Sequence, residues 1–159
     1  MKSGQKELAT ADRLKHRPPG AELEMESMSN PLKVLLVDDE AYFRLFVGKV
    51  LSMSLECTVA EARDGEEAIA LCQKSDPDLI ILDISMPRLG GVEALTAIRA
   101  LKPDTPIVML TSISEEKVVE ECVAQQASYF IRKDVGADKL QAELKQMLQL
   151  FFTERKETP

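Results

Sequence analysis

The sequence is short of the side chains that several common chemistries require. A single histidine, His16, excludes sites built from several histidines and argues against histidine-based catalysis. The three cysteines, Cys57, Cys72 and Cys122, are odd in number and scattered without a CxxC spacing. That speaks against a zinc site and for buried, reduced thiols. No apolar run approaches the ~20 residues of a membrane span, so no membrane role is expected. The first residues lack the apolar stretch of a secretion signal, which makes the cytoplasm the expected location. No GxGxxG follows the first apolar run, so the dinucleotide fingerprint is missing. Positive charge is scarce too: 20 Lys and Arg against 27 Asp and Glu leave a formal charge of −7. A sequence-independent grip on nucleic acid needs clustered cations, so no nucleic-acid partner is expected.

What is present suits a globular domain. With 45% hydrophobic and 30% charged residues, the 159 residues allow one domain with a core plus some tail. Residues 1–31 carry five basic and five acidic side chains, so the whole net charge falls on the rest. "RPPGAELEMESMSNP" mixes Pro, Gly, Ser and acids without apolar periodicity and cannot repay its ordering entropy. Residues 1–31 are therefore expected to be a flexible extension holding a solvated His16, with Met28 a plausible alternative start. A docking arm is the functional alternative. The domain is expected over 32–153, followed by a tail over 154–159.

From Leu32 onward, short aliphatic runs alternate with longer amphipathic ones. The predicted strands are Val34–Val37, Thr58–Ala60, Leu79–Leu82, Ile107–Leu110 and Tyr129–Ile131, most of them nearly continuous in apolar residues, as parallel strands covered on both faces are. Val92, Leu95 and Ile98 form one helical stripe between them. Val118, Val119, Cys122 and Val123 form another, and Leu140, Leu144, Met147, Leu148 and Phe151 a third. Asp64 with Glu67, and Ser112 with Glu115, have capping-box spacing. Gly136 is placed to open the last helix, while Gly48 interrupts the first without an evident reason. Five strands alternating with five helices imply an α/β fold with right-handed crossovers and a parallel sheet.

Ligands of such sheets bind beyond the carboxyl ends of the strands. Asp38 and Asp39 end the first strand, Asp83 the third and Thr111 the fourth, and Lys133 follows the fifth. These residues converge at one edge. Carboxylates so crowded need a counter-ion, and a hard divalent cation such as Mg²⁺ accepts one or two of them while keeping waters. Acids, Mg²⁺, an ammonium and a hydroxyl form a recurring set for phosphoryl transfer. Asp83, alone at its strand end, is the natural nucleophile, which leaves Asp38 and Asp39 for metal. Singly, each of these residues has an ordinary structural reading; their joint placement at successive strand ends carries the signal.

The chain resembles the receiver domain of two-component response regulators over roughly Lys33 to Phe152. The matching pieces are "LLVDDEA", "ARDGEEAI", "PDLIILDISMPRLGG", "PIVMLTS" and "YFIRKD". The third is the most specific, since it joins the acidic strand end to Met86-Pro87 and Gly91 at the family's spacing. The resemblance implies a flavodoxin-like, doubly wound five-stranded parallel sheet of order 2-1-3-4-5 with five helices. It also implies that Asp83 accepts a phosphoryl group from the histidine of a sensor kinase or phosphotransfer protein. Asp39, Asp83 and the Ser85 backbone carbonyl would ligate Mg²⁺, with Asp38 acting through water. Lys133 would pair with the phosphate or the acids. Thr111 and the aromatic Phe130 would form the switch, reshaping the face of the fourth helix, fifth strand and fifth helix for a downstream protein. Phosphoryl lifetime would be tuned by Ser85 and Ile113.

Two departures stand out. Asp134 follows Lys133 where many receivers have a proline, so the peptide is expected to be trans and the loop to carry an extra negative charge. Gln126 occupies a turn position where glycine is frequent. "TERKETP" is too short for an output domain, so the expectation is a stand-alone receiver, a phospho-acceptor rather than an enzyme, signalling by protein contact. Glu115, Glu116, Glu120 and Glu121 offer an acidic face to a basic partner, or to Lys139 and Lys145 of a second copy in a homodimer. A phosphorylation-independent interaction module of the same fold is the alternative, against which the complete acid, Thr and Lys set speaks. A phosphohydrolase acting on outside substrates lacks a second acid–base pair and a substrate-binding insertion.

Overall fold

The computed structural model describes residues 30–112 and 116–157. Five strands alternate with five helices: β1 (Leu32–Val37), α1 (Ala41–Ser54), β2 (Cys57–Ala62), α2 (Gly65–Lys74), β3 (Leu79–Asp83), α3 (Gly91–Leu101), β4 (Ile107–Thr111), α4 (Glu116–Ala124), β5 (Tyr129–Arg132) and α5 (Ala137–Glu157). All neighbouring strands pair in parallel, in the order β2-β1-β3-β4-β5. The flavodoxin-like topology implied by the resemblance is the one observed. Every expected strand is present and runs one to three residues longer than its apolar run, because the ladder extends beyond that run at the start of β1, at both ends of β2 and at the ends of β3, β4 and β5. Both Asp83 and Thr111 thus lie within their strands.

Side chains two apart on a strand share a face, and here they separate two cores. Val34, Leu36, Leu79, Ile81, Val108 and Leu110 pack with Val47 and Leu51 of α1 and Leu144 and Met147 of α5. Their neighbours Leu35, Val37, Ile80, Leu82, Ile107 and Met109 pack with Ala68 and Cys72 of α2, Leu95 and Ile98 of α3 and Cys122 of α4. Strands β3 and β4 are buried along their whole length. Strand β2 differs: one of the two edge strands, it pairs only with β1 and is largely exposed. Hence Cys57 is only half-buried, against the expectation of burial, while Cys72 and Cys122 are buried; all three are free thiols.

Local signals shape the helix ends. The Asp64 side chain accepts the Glu67 N–H at 2.9 Å and so caps α2. Glu67 reaches back one residue further than in a standard capping box, to the Arg63 N–H at 2.7 Å. Gly136 starts α5, its carbonyl accepting the Leu140 N–H. Gln126, at φ 68, closes α4 in a left-handed conformation, with the Ala127 and Gln126 amides donating to the carbonyls of Cys122 and Val123. That is a Schellman closure, in which glycine is the usual residue. Arg99 braces this turn by donating to the Gln126 carbonyl at 2.7 Å. A Cβ on Gly48 would meet nothing within 4 Å, so packing does not require glycine there. Among the described residues, no helix is long and apolar enough to cross a membrane. The leader 1–29, Ile113, the Ser112–Glu115 cap and the side chains of Glu115 and Glu116 lie outside the described residues.

Candidate functional site at the carboxyl edge of the sheet

Strands β1, β3 and β4 bring Asp38, Asp83 and Thr111 to one edge, where all three are buried. Asp39 is exposed beside them. One carboxylate oxygen from each of Asp38, Asp39 and Asp83 lies within 4.8 Å of the others. Lys133, just past β5, reaches across this group. Its backbone N–H donates to the Thr111 carbonyl at 2.7 Å, which carries the sheet pattern one residue further. Its Nζ bonds Asp38 Oδ2 at 2.9 Å, Asp83 Oδ2 at 3.2 Å and Glu40 Oε1 at 3.2 Å.

One ammonium among four carboxylates leaves an excess of negative charge, and the charges perturb one another. Burial of Asp83, together with the Asp38 charge, pushes its carboxyl up to about 7, against the opposing pull of Lys133 and the Ser85 amide. Burial alone would lower Lys133, but its hydrogen bond to Asp38 and the charges of Asp83 and Asp38 outweigh that and raise it to about 12. Lys133 is therefore a permanent cation. Asp83 carries the most perturbed acid of the pocket, and a strongly shifted group in a cleft with a charged partner is a functional-site signature.

The cleft has a volume of about 330 Å³ and is lined by Asp39, Glu40, Phe43, Asp83, Ser85, Ser112, Lys133 and Asp134. The Ser85 amide faces Asp83 Oδ1 at 3.4 Å, a long contact. Asp38 is held from the other side by the Glu40 N–H at 2.9 Å, and its own carbonyl accepts Arg44 Nη1 at 2.7 Å. The extra negative charge expected from Asp134 is matched by Arg132, whose Nε and Nη2 bond its carboxylate at 2.7 and 2.5 Å. The Lys133–Asp134 peptide is trans, as are the other described peptides.

The structure thus gathers Asp38, Asp39, Asp83, Ser85 and Lys133 around one cleft, with Thr111 on the adjoining strand. Phe130 pairs with Met109, two residues before Thr111 on β4, and is half-buried against the core on the α2–α4 side. Tyr129 points to the opposite core and meets Phe151 edge-on at 6.2 Å. Two contacts escaped the sequence reading. The Phe43 ring carries Lys133 Nζ 4.4 Å from its centroid, a cation–π contact that helps fix the ammonium. Glu40, which directly follows Asp38 and Asp39, is a direct Lys133 partner. The available signal was position: Phe43 sits in the first turn of a helix that starts directly after the acids, so it remains at the mouth.

The family model for the response regulator receiver domain matches residues 34–145. The transcriptional regulatory protein DegU of Brevibacillus brevis is 34% identical over 121 residues, which cover 76% of this chain and 51% of DegU. The chemotaxis protein CheY of Listeria monocytogenes is 34% identical over 109 residues, covering 69% of this chain and 92% of CheY. The chain therefore spans about half of the one relative and most of the other. Among solved structures, a chain of the CheX–CheY–BeF3–Mg²⁺ complex from Borrelia burgdorferi superposes with a TM-score of 0.67 at 26% identity, covering 76% of this chain and 90% of that one.

Proposed function

Because the chain belongs to the response regulator receiver family, we propose that it accepts a phosphoryl group on Asp83 within a two-component phosphorelay. The observation that carries this reading is the buried Asp83 carboxylate, raised to about 7 and bound to the Lys133 ammonium at 3.2 Å, at the floor of an open acidic cleft. In the reaction an Asp83 oxygen attacks phosphorus, and the bond from phosphorus to the donor's histidine nitrogen, or to the oxygen of a small acyl phosphate, breaks with its electron pair. Lys133 neutralises charge on the phosphoryl oxygens, and Thr111 hydrogen-bonds one of them. Asp83 must be ionised to act, so the charges around it set the pH at which it becomes nucleophilic.

The donor set fits Mg²⁺: three carboxylates within 4.8 Å offer hard oxygen ligands in excess of the local positive charge. Asp39, Asp83 and the Ser85 carbonyl would hold the ion, with Asp38 acting through water. When bound, Mg²⁺ supplies charge neutralisation for the incoming phosphoryl oxygens. The Borrelia complex includes CheY, BeF3 and Mg²⁺ by its description, which supports this reading.

The receiver extends over 32–153 and works in the cytoplasm with a sensor histidine kinase or histidine phosphotransfer protein as donor. Output runs through Thr111 and Phe130 to the face of α4, β5 and α5, toward a downstream protein or a second copy. Glu120 and Glu121 on α4, and Lys139 and Lys145 on α5, are exposed there. The test is incubation with acetyl phosphate and Mg²⁺ followed by intact mass measurement, beside Asp83→Asn and a metal-free sample. A gain of one phosphoryl group in the parent alone is expected. No gain in folded parent, together with no uptake of beryllofluoride, would replace this reading with a phosphorylation-independent interaction module.

A further inference from the structure

The loop between β3 and α3, residues 84–90, carries Ser85 and follows directly on Asp83. Its far end is anchored where the Gly91 N–H donates to the Ile84 carbonyl at 2.8 Å. A Cβ on Gly91 would lie 2.3 Å from the Asp83 carbonyl oxygen, so α3 begins in backbone contact with the end of β3. The middle of the loop is held from a different direction. The Gly65 N–H, at the start of α2, donates to the Leu89 carbonyl at 3.1 Å. A Cβ on Gly65 would stand 2.6 Å from that same oxygen. Beside this contact the Arg88 guanidinium bonds Asp64 Oδ2. Arg88 does so from φ 64, a left-handed conformation unfavourable for a residue with a Cβ.

Asp64 is only 4% exposed, and a buried carboxylate requires partners. Its two oxygens are divided between two tasks. Oδ1 caps α2 through the Glu67 N–H, and Oδ2 takes Arg88. The cap would form without Arg88, so the ion pair has a separate consequence: it ties the loop to α2. Arg88 itself is largely exposed, and such a pair contributes little to overall stability. Its effect is on where the loop sits.

We infer that Asp64 and Arg88 form a latch that positions the β3–α3 loop, and through it the Ser85 carbonyl and the Asp83 carboxylate, for binding of the divalent cation. Both are positioning residues, and neither touches the ion. The inference rests on the reading of the cleft as a Mg²⁺ site. Mg²⁺ demands near-ideal octahedral geometry, so a loop that wanders presents its carbonyl badly. Loss of partners one step removed from a metal commonly weakens affinity by about 10- to 100-fold.

The test is calorimetric titration of Mg²⁺ into the full chain and into Arg88→Gln, Asp64→Asn, the double variant and Arg88→Lys, each with a thermal melt. Asparagine caps helices as well as aspartate does, so Asp64→Asn removes the charge and leaves the start of α2 intact. Each single variant is expected to raise the Mg²⁺ dissociation constant by about 10-fold while shifting the melting temperature by less than about 3 °C. The double variant loses no more than either single one, because both break the same contact. Arg88→Lys, which keeps the charge without the fork, recovers part of the affinity. Unchanged Mg²⁺ binding in Arg88→Gln and Asp64→Asn, or losses that multiply in the double variant, overturn the latch. A parent that takes up no Mg²⁺ overturns the metal site itself, a result distinct from either.

Discussion

Asp64 and Asp83 are both buried aspartates at the carboxyl ends of strands, and their surroundings drive them in opposite directions. At Asp64, the hydrogen bond from Arg88 and then the Glu67 amide hold the carboxyl below its ordinary value of 3.8. At Asp83, burial and then the Asp38 charge raise it to about 7. Both side chains are nearly shut off from solvent, but only at Asp83 does the cost of burying the charge outweigh the donors. The difference lies in donors: Asp64 has a separate donor for each oxygen, whereas Asp83 shares one ammonium with Asp38 and Glu40 and keeps a long contact to the Ser85 amide. A satisfied carboxylate builds structure. An under-satisfied one stores repulsion that a bound cation would relieve.

Removing the shared donor should sharpen the contrast most. Lys133→Met leaves Asp38 and Asp83 buried without their cation, and loss of one partner of a buried pair costs about 3–5 kcal/mol. Urea denaturation at pH 8 without metal should show that loss. It should shrink at pH 5, where Asp83 holds a proton. A loss independent of pH would mean that Lys133 serves the fold through packing alone.

Asp83→Asn should act in the other direction. The folded value of Asp83 stands above its unfolded one, so between about pH 4 and pH 7 the native state keeps a proton that the unfolded chain releases. Native stability therefore falls as pH rises through this window. The variant, lacking that group, should match the parent near pH 4 and exceed it above pH 7 by a few kcal/mol, since each tenfold change in an ionisation constant is worth about 1.4 kcal/mol. Mg²⁺ should narrow the gap by stabilising the parent only. A parent that gains stability with pH across the window would contradict the assignment.

Asp64→Asn should show the opposite sign at smaller amplitude. The folded value of Asp64 is depressed, so its contribution is present above 3.8 and is lost as pH falls through the folded value. The variant should be weaker than the parent at neutral pH, with the gap closing in acid. Gly48→Ala supplies the reference. With nothing within 4 Å of the new methyl, it should add about 1 kcal/mol at every pH. A pH-dependent effect there would show that the profiles report global stability rather than the two aspartates.

Much of this molecule is legible from local pattern. The aliphatic runs of β1, β3 and β4 announce buried parallel strands, and Asp64 with Glu67 announces the start of α2. The convergence of Asp38, Asp83, Thr111 and Lys133 follows from a topological rule, since residues ending parallel strands share an edge. Other features depend on the fold. β2 carries a strand sequence, but only the sheet order makes it an edge and leaves Cys57 half-exposed. Gln126 stands out in the sequence as a non-glycine residue at a turn position where glycine is frequent. What meets the cost of its left-handed conformation, the turn amides and Arg99 from another helix, is supplied by the fold. Arg88 reads as an ordinary surface arginine until its partner, 24 residues earlier, is seen beside it.

The sequence by itself determined the element types, the two-faced burial of the central strands and the edge at which the acids gather. These depend on periodicity and chain direction, which are local properties. Only the tertiary structure decided what each acid became. The Lys133 ammonium, the Phe43 ring beneath it and the Arg88 guanidinium reach their partners across the sheet edge and between helices. A carboxylate's charge state depends on the donors within a few ångströms, and those come from residues the linear sequence keeps far apart.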